Sequence, residues 1–227
     1  MEESVFIVVP AYNEARVIRS TLAPLLQTDY AVVLVDDGSQ DDTWSIAESL
    51  PIYALRHPIN LGQGAALQTG MTFALAQGAA IIVHFDADGQ HRVEDIETLI
   101  EPLRKGEADV VLGSRFLRAE TTKAIPLRRR MLLRGAILVN GLTTGLWLSD
   151  AHNGFRAMTR EAATKIYLRE NSFAHASEIL LQIRHQKLRY VECPTNIIYS
   201  EYSQEKGQSN LNAINILIDL LIRKVLR

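Results

Sequence analysis

Residues 79–91 read Ala-Ala-Ile-Ile-Val-His-Phe-Asp-Ala-Asp-Gly-Gln-His, a largely apolar run that stops at Asp86 and then sets Asp88 and Gln90 at alternate positions. A strand apolar on successive positions is covered on both faces, which places it inside a mostly parallel sheet. Working outward, residues 5–9, 31–35 and 109–112 repeat the pattern of apolar run followed by polar cluster, with longer helical patterns between them. A shorter strand is expected over 52–55. This alternation is the grammar of an α/β sheet flanked by helices and wound by right-handed crossovers. Helix starts are expected at Asn13, before Glu14, and at Ser39, with Asp42 three residues on as in a capping box. Past residue 117 the chain is less regular. It reads as a polar loop to 126, a helical region over 127–148, strands over 155–158 and 188–192, and a helix over 176–185. A polar loop over 200–210 precedes a final amphipathic helix over 211–227, so the expected organisation is one domain over 1–210 followed by that helix.

The 227 residues suffice for one large α/β domain with a substantial core, and 47% hydrophobic with 22% charged residues is an ordinary globular composition. With 24 Lys+Arg against 26 Asp+Glu there is no global field to hold a polyanion, so nucleic acid is not an expected partner. Cys193 is the lone cysteine, which rules out an intramolecular disulfide and a cysteine-based zinc site and fits a reducing compartment. Met1-Glu2-Glu3-Ser4 does not open a secretory signal. The apolar stretches 131–148 and 211–222 are interrupted by Arg134 and Asn140, and by Asn212, Asn215 and Asp219. A bilayer span needs about 20 apolar residues, so no spanning helix is expected.

In an open parallel sheet, ligands bind beyond the carboxyl ends of the strands, where loops converge. Those positions here hold Pro10-Ala11-Tyr12-Asn13-Glu14, Asp36-Asp37-Gly38-Ser39, Asp86 to His91, and Gly113-Ser114-Arg115. Any one cluster is accounted for by turns and caps; four on one edge point to a site. Oxygen ligands at Asp86, Asp88 and Gln90 suit a hard cation, Mg²⁺ or Mn²⁺, completed by substrate phosphate. Without a cation, carboxylates crowded there repel one another. A nicotinamide-dependent enzyme would need G-x-G-x-x-G after the first strand, and a P-loop NTPase G-x-x-x-x-G-K-[ST]; neither is present.

The stretches VVPAYNE (8–14), VDDGSQDDT (35–43), NLGQGAALQTG (60–70), DADGQH (86–91), GSR (113–115) and DAHNGFRAM (150–158) resemble the GT-A glycosyltransferases of family 2. Within that family the sequence is similar to the polyprenyl-phosphate branch of dolichyl-phosphate mannose synthase-like enzymes. The resemblance makes 1–210 the catalytic domain and implies an inverting enzyme with a GDP- or UDP-sugar donor, the base and ribose lying near Pro10, Tyr12, Glu14, Asp37 and Asp86. It implies that Asp88 and Gln90 ligate the Mg²⁺ or Mn²⁺ on the donor diphosphate, and that Arg115 meets a phosphate of donor or acceptor. A polyprenyl phosphate acceptor would meet Arg129, Lys206 and Ser209, with the protein peripheral on the cytoplasmic face of the membrane. Many relatives carry an arginine where this chain has Gln204, and Lys206 offers a point charge in place of a guanidinium fork.

Displacement at an anomeric carbon gathers negative charge on the departing nucleoside diphosphate, so a cation and Arg115 would act where charge grows. A sugar or lipid hydroxyl acceptor would require a general base, for which Asp150 is the candidate. A monophosphate, with a second pKa of about 6, is already nucleophilic, and Asp150 would then only orient it. Arg128, Arg129, Arg130 and Arg134 open an otherwise apolar helix, as at anionic headgroups or as snorkelling arginines over a core. In 211–227, Asn212, Asn215, Asp219 and Arg223 form a narrow polar stripe; the wide apolar arc beside it suits the domain core, a dimer or membrane-protein partner, or the bilayer. Glu178 reads as structural, His84 as core-facing and His91 as near the metal. The enzymatic rival is a transferase to a saccharide or lipid hydroxyl; the non-enzymatic one is a nucleotide-sugar-binding scaffold subunit.

Overall fold

The computed structural model describes residues 4–117, 135, 137, 141–142, 144–150, 153–171 and 174–198. The strands β1 (Val5–Ala11), β2 (Ala31–Asp36), β3 (Tyr53–Arg56), β4 (Ile81–His84), β5 (Val110–Ser114), β6 (Arg156–Thr159) and β7 (Tyr190–Pro194) form one sheet in the order β3-β2-β1-β4-β6-β5-β7. All pairings are parallel except those of β6, which runs antiparallel to both β4 and β5. The helices are α1 (Ile18–Leu22), α2 (Thr43–Glu48), α3 (Gln63–Ala76), α4 (Asp95–Arg104), α5 (Arg160–Lys165) and α6 (His175–His185).

Strand alternation sorts the apolar runs onto two faces. Val8, Val33, Val35 and Ile82 join Leu67 and Met71 of α3, Ala162 of α5 and Ile183 of α6 on one face. Ile7, Val9, Leu34 and Val83 join Ile18 of α1, Ala47 of α2, and Ile96 and Leu99 of α4 on the other. Every residue of β1 and β4 is buried, as the unbroken runs require, and a fully buried Val or Ile stabilises the fold by about 1.5–3 kcal/mol. Helix α3 lies so close to β1 that a Cβ at Gly70 would fall 2.3 Å from Val8 Cγ1, which is why a glycine occupies that turn.

The topology brings the polar clusters to one edge. Strands β1, β2, β4, β5 and β7 end there, and β6 begins there, with Arg156 paired to both His84 and Leu112. Two expected helix starts are corrected. Asn13 sits in the left-handed region (φ 54°), five residues before the first residue of α1, and no described side chain caps that helix. Ser39 does not cap α2: its hydroxyl accepts from Asn13 N–H at 2.9 Å, and Asp41 Oδ1 instead accepts from Thr43 N–H at 3.0 Å. Tertiary lacing between the first two loops outcompetes both local caps. Of 127–148, residues 135, 137, 141, 142 and 144 are helical. The basic run Arg128–Arg130 with Arg134, the loop 200–210 with Gln204, Lys206 and Ser209, and the helix 211–227 lie outside the described residues. Among the described residues no helix is long and apolar enough to cross a membrane.

Candidate active site

The turns after β1 and β2 are stitched together. Asn13 Oδ1 accepts from Gln40 N–H at 2.8 Å, Glu14 N–H donates to Thr43 Oγ1 at 2.7 Å, and Ala15 N–H donates to Asp41 Oδ2 at 3.0 Å. Above them opens a cavity of about 580 Å³ whose walls include Tyr12, Gln40, Arg56, Ile59 and Asn60. Arg56, unremarked in the sequence, ends β3 at this edge. Its Nε lies 3.1 Å from Asp36 Oδ2, Nη2 donates to Ser39 O at 3.2 Å, and the guanidinium stands 5.4 Å from the Trp44 ring.

Of the residues expected near base and ribose, only Tyr12 lines this cavity. Pro10 and Glu14 are buried behind it. Asp37 is also buried, and its carboxylate holds the next loop: Oδ1 accepts from Leu61 N–H at 3.0 Å and Oδ2 from Gly62 N–H at 2.7 Å. His57 Nδ1 lies 2.7 Å from the same Oδ1, to which it donates, and Nε2 lies 2.9 Å from Thr69 Oγ1.

At the centre of the edge, Asp86 Oδ1 accepts from Gln63 Nε2 at 3.1 Å and Oδ2 from His91 Nε2 at 3.0 Å. The His91 ring stacks on Phe155 at 4.5 Å, and its Nδ1 is buried without a hydrogen-bond partner among the described residues. Desolvation would raise the Asp86 carboxyl, but the His91 hydrogen bond and the nearby His175 and Arg156 outweigh it and hold the group below the usual carboxylate range. Asp88 moves the opposite way, pushed up to about 6 by desolvation and by the charge of Asp86. Gln90 N–H donates to Asp88 Oδ1 at 3.0 Å, and Thr21 Oγ1 ties the loop to α1 through Ala87 O at 3.2 Å.

These residues fit a hard divalent cation. No cluster of three or more His, Cys, Asp or Glu side chains encloses a metal position among the described residues. Asp88 and Gln90 beside Asp86 could offer oxygen donors, too few for an all-protein cage and suited to an ion that would take its remaining ligands from phosphate and water. Burial first and the Asp86 charge second push the Asp88 carboxyl up to about 6, and a dication there would offset both.

On the β5 side, Arg115 and Asp150 form a buried fork. Nε donates to Oδ2 at 2.6 Å, Nη2 to Oδ1 at 2.8 Å, and the Arg115 backbone N–H to Oδ2 at 3.1 Å. Arg156, part of the stretch 150–158, is buried within reach of the charges of Asp86 and Asp150. Desolvation pushes it down to about 10 against the pull of both carboxylates. Its neighbour His84 is pushed down to about 3 by burial and by Arg156, and is therefore neutral. Glu178 is structural as expected, accepting from Arg169 N–H and Glu170 N–H at 3.0 Å. Arg129, Lys206 and Ser209 lie outside the described residues.

Fold and site together define a glycosyltransferase of the GT-A type. The family model described as glycosyl transferase family 2 matches residues 6–167, and the chain belongs to that family. It is 31% identical to the UDP-N-acetylglucosamine–dolichyl-phosphate N-acetylglucosaminyltransferase of Methanococcus voltae, over 99% of this chain and 97% of that protein. It is 30% identical to the polyprenol monophosphomannose synthase of Mycolicibacterium smegmatis, over 92% of this chain and 82% of that protein. The fold is shared with glucosyl-3-phosphoglycerate synthase from Mycobacterium tuberculosis, solved in complex with Mn²⁺, UDP and phosphoglyceric acid. The TM-score is 0.64 at 19% identity, covering 96% of this chain and 78% of that one.

Proposed function

We propose that the protein transfers a sugar, with inversion, from a nucleoside-diphosphate donor to a polyprenyl phosphate, using Mg²⁺ or Mn²⁺. The observation that carries this reading is the Arg115–Asp150 fork. Asp150 is the candidate general base among the described residues, and both its oxygens are engaged by a guanidinium. Releasing it to take a proton would break a buried pair, which costs about 3–5 kcal/mol. Glu178 is committed to backbone N–H groups and Asp86 to Gln63 and His91. An acceptor hydroxyl would therefore find no disengaged base in the Arg115–Asp150 fork, at Glu178 or at Asp86 among the described residues, whereas a phosphate monoester, with a second pKa of about 6, carries its own nucleophilic charge.

In this reading Tyr12 offers a ring to the base, and Arg56 donates to base or ribose from the wall of the 580 Å³ cavity. Asp37 and Glu14 fix the walls. Asp88 and Gln90 hold the cation, with Asp86 kept ionised beside them. When bound, the cation offsets the charge that gathers on the leaving diphosphate. Arg115, its fork oriented by Asp150, holds the acceptor phosphate in line with the anomeric carbon, joined by Arg129, Lys206 and Ser209. Leu117, Leu142 and Trp147, which flank Arg115 and Asp150 in sequence, are 48%, 61% and 63% exposed and suit an acceptor with an apolar tail. The helix 211–227 would hold the catalytic domain 1–210 at the cytoplasmic face of the membrane. The relatives' names support the acceptor class.

The test supplies labelled GDP- and UDP-sugars with undecaprenyl phosphate, undecaprenol or oligosaccharides. Product from the phosphate alone, dependent on Mg²⁺ or Mn²⁺, is expected; equal transfer to the free alcohol or to saccharides would refute the reading.

A further inference from the structure

Glu192, the third residue of β7, pairs in register with Leu112 of β5, a strand whose end carries Arg115. Its half-buried carboxylate reaches back across 42 residues of sequence to the segment before Asp150. Both oxygens accept from Ser149 N–H at 2.9 Å, and Oε1 also accepts from Ser149 Oγ at 2.7 Å and from Asp150 N–H at 3.3 Å. Ser149 Oγ in turn lies 2.6 Å from Ser114 Oγ, which accepts from Phe116 N–H at 3.2 Å. With the Ser149 hydroxyl proton committed to Glu192, the Ser114 hydroxyl donates to Ser149. One relay thus fixes the backbone on both sides of Arg115 and the residue before Asp150.

We propose that Glu192 is a positioning residue for the acceptor phosphate: through Ser149 and Ser114 it sets the two chain segments whose side chains make the Arg115–Asp150 fork. The proposal rests on the phosphate-acceptor reading above. Its chemical basis is that a carboxylate is an acceptor only. Three donors converge on Glu192, two of them backbone N–H groups, and charge-assisted bonds of this kind are short and stiff. A glutamine there would turn an amide NH₂ toward at least one of those donors, and an aspartate would fall a methylene short. Neither Glu192 nor Ser149 lines the donor cavity, so the effect falls on the acceptor side.

The test is steady-state kinetics with undecaprenyl phosphate in detergent micelles and whichever nucleotide sugar the wild-type protein turns over, alongside melting temperatures. E192Q is expected to raise the acceptor KM about tenfold, with donor KM unchanged, because small misplacement of a binding fork is felt at the ligand it holds. S149A, which removes only the hydroxyl link, should move the acceptor KM in the same direction by a smaller factor. In an R115K background, E192Q should add nothing further. A folded E192Q with unchanged acceptor KM, or with donor and acceptor KM raised alike, overturns the proposal. Should E192Q not fold, an unchanged acceptor KM in S149A overturns it. If R115K itself leaves the acceptor KM unchanged, the phosphate reading fails and the proposal with it; failure at Glu192 alone leaves that reading standing.

Discussion

Gly154 faces the Asp86 carboxylate so closely that a Cβ built on it would lie 2.5 Å from Oδ2. The turn into β6 is therefore shaped around a carboxylate of the loop that follows β4, and no side chain fits between them. Gly154→Ala should displace Asp86 from its His91 and Gln63 partners. Weakening of Mn²⁺-dependent nucleotide binding by about 10–100-fold is expected, the scale seen when groups supporting metal ligands are lost. Calorimetric titration of UDP and GDP with Mn²⁺, on protein shown by circular dichroism to be folded, checks this; wild-type affinity would remove Asp86 from the nucleotide side.

Asp88 supplies a second prediction with a definite pH sense. Its carboxyl is raised to about 6, so it is neutral below that pH and charged above. A cation bound there displaces the proton, and its apparent affinity should fall about tenfold per pH unit below 6 and level off above. Asp88→Asn should abolish both the turnover and this pH dependence while leaving the melting temperature near wild type, because no packing is lost. Metal affinity flat between pH 5 and 7 in the wild type would contradict the assignment.

Much of this architecture was legible because β1, β2, β4 and β5 are buried on both faces, and that leaves apolar runs no surface strand shows. The edge carrying the site followed from the same runs, since polar clusters closed each of them. What escaped the sequence is which partner each polar group chooses. Asn13 and Ser39 look like helix caps until their loops meet across 26 residues. Asp37 looks like a ligand group, yet its oxygens face Leu61 and Gly62. Arg56 and Glu192 occupy strands and carry no motif; only the sheet order brings one beside the cavity and the other behind the Arg115–Asp150 fork.

Arg56 should act on the donor alone. Its Nε and Nη2 are anchored on Asp36 and Ser39 O, which leaves the rest of a partly exposed guanidinium facing the cavity. Arg56→Ala should raise donor KM about tenfold, the scale of one lost hydrogen bond to a charged group, and leave acceptor KM unchanged. A rise in acceptor KM instead would move the donor away from this cavity.

The fork distinguishes two chemistries. If Asp150 were a general base, Asp150→Asn would lower kcat by orders of magnitude at unchanged acceptor KM and remove a limb from the pH–rate profile. As the orienting partner of Arg115 it should do something else. The asparagine keeps one acceptor oxygen but turns an NH₂ toward the guanidinium, leaving a buried charge short of its partner. Acceptor KM should rise at least tenfold, stability should fall by up to about 3–5 kcal/mol, and the shape of the pH–rate profile should persist. Asp150→Glu, which retains the charge, should recover part of both losses. Denaturant unfolding and acceptor-dependent kinetics on the two variants read these effects separately, and a pure kcat defect in a fully stable Asp150→Asn protein would return the base to the mechanism and the acceptor to a hydroxyl.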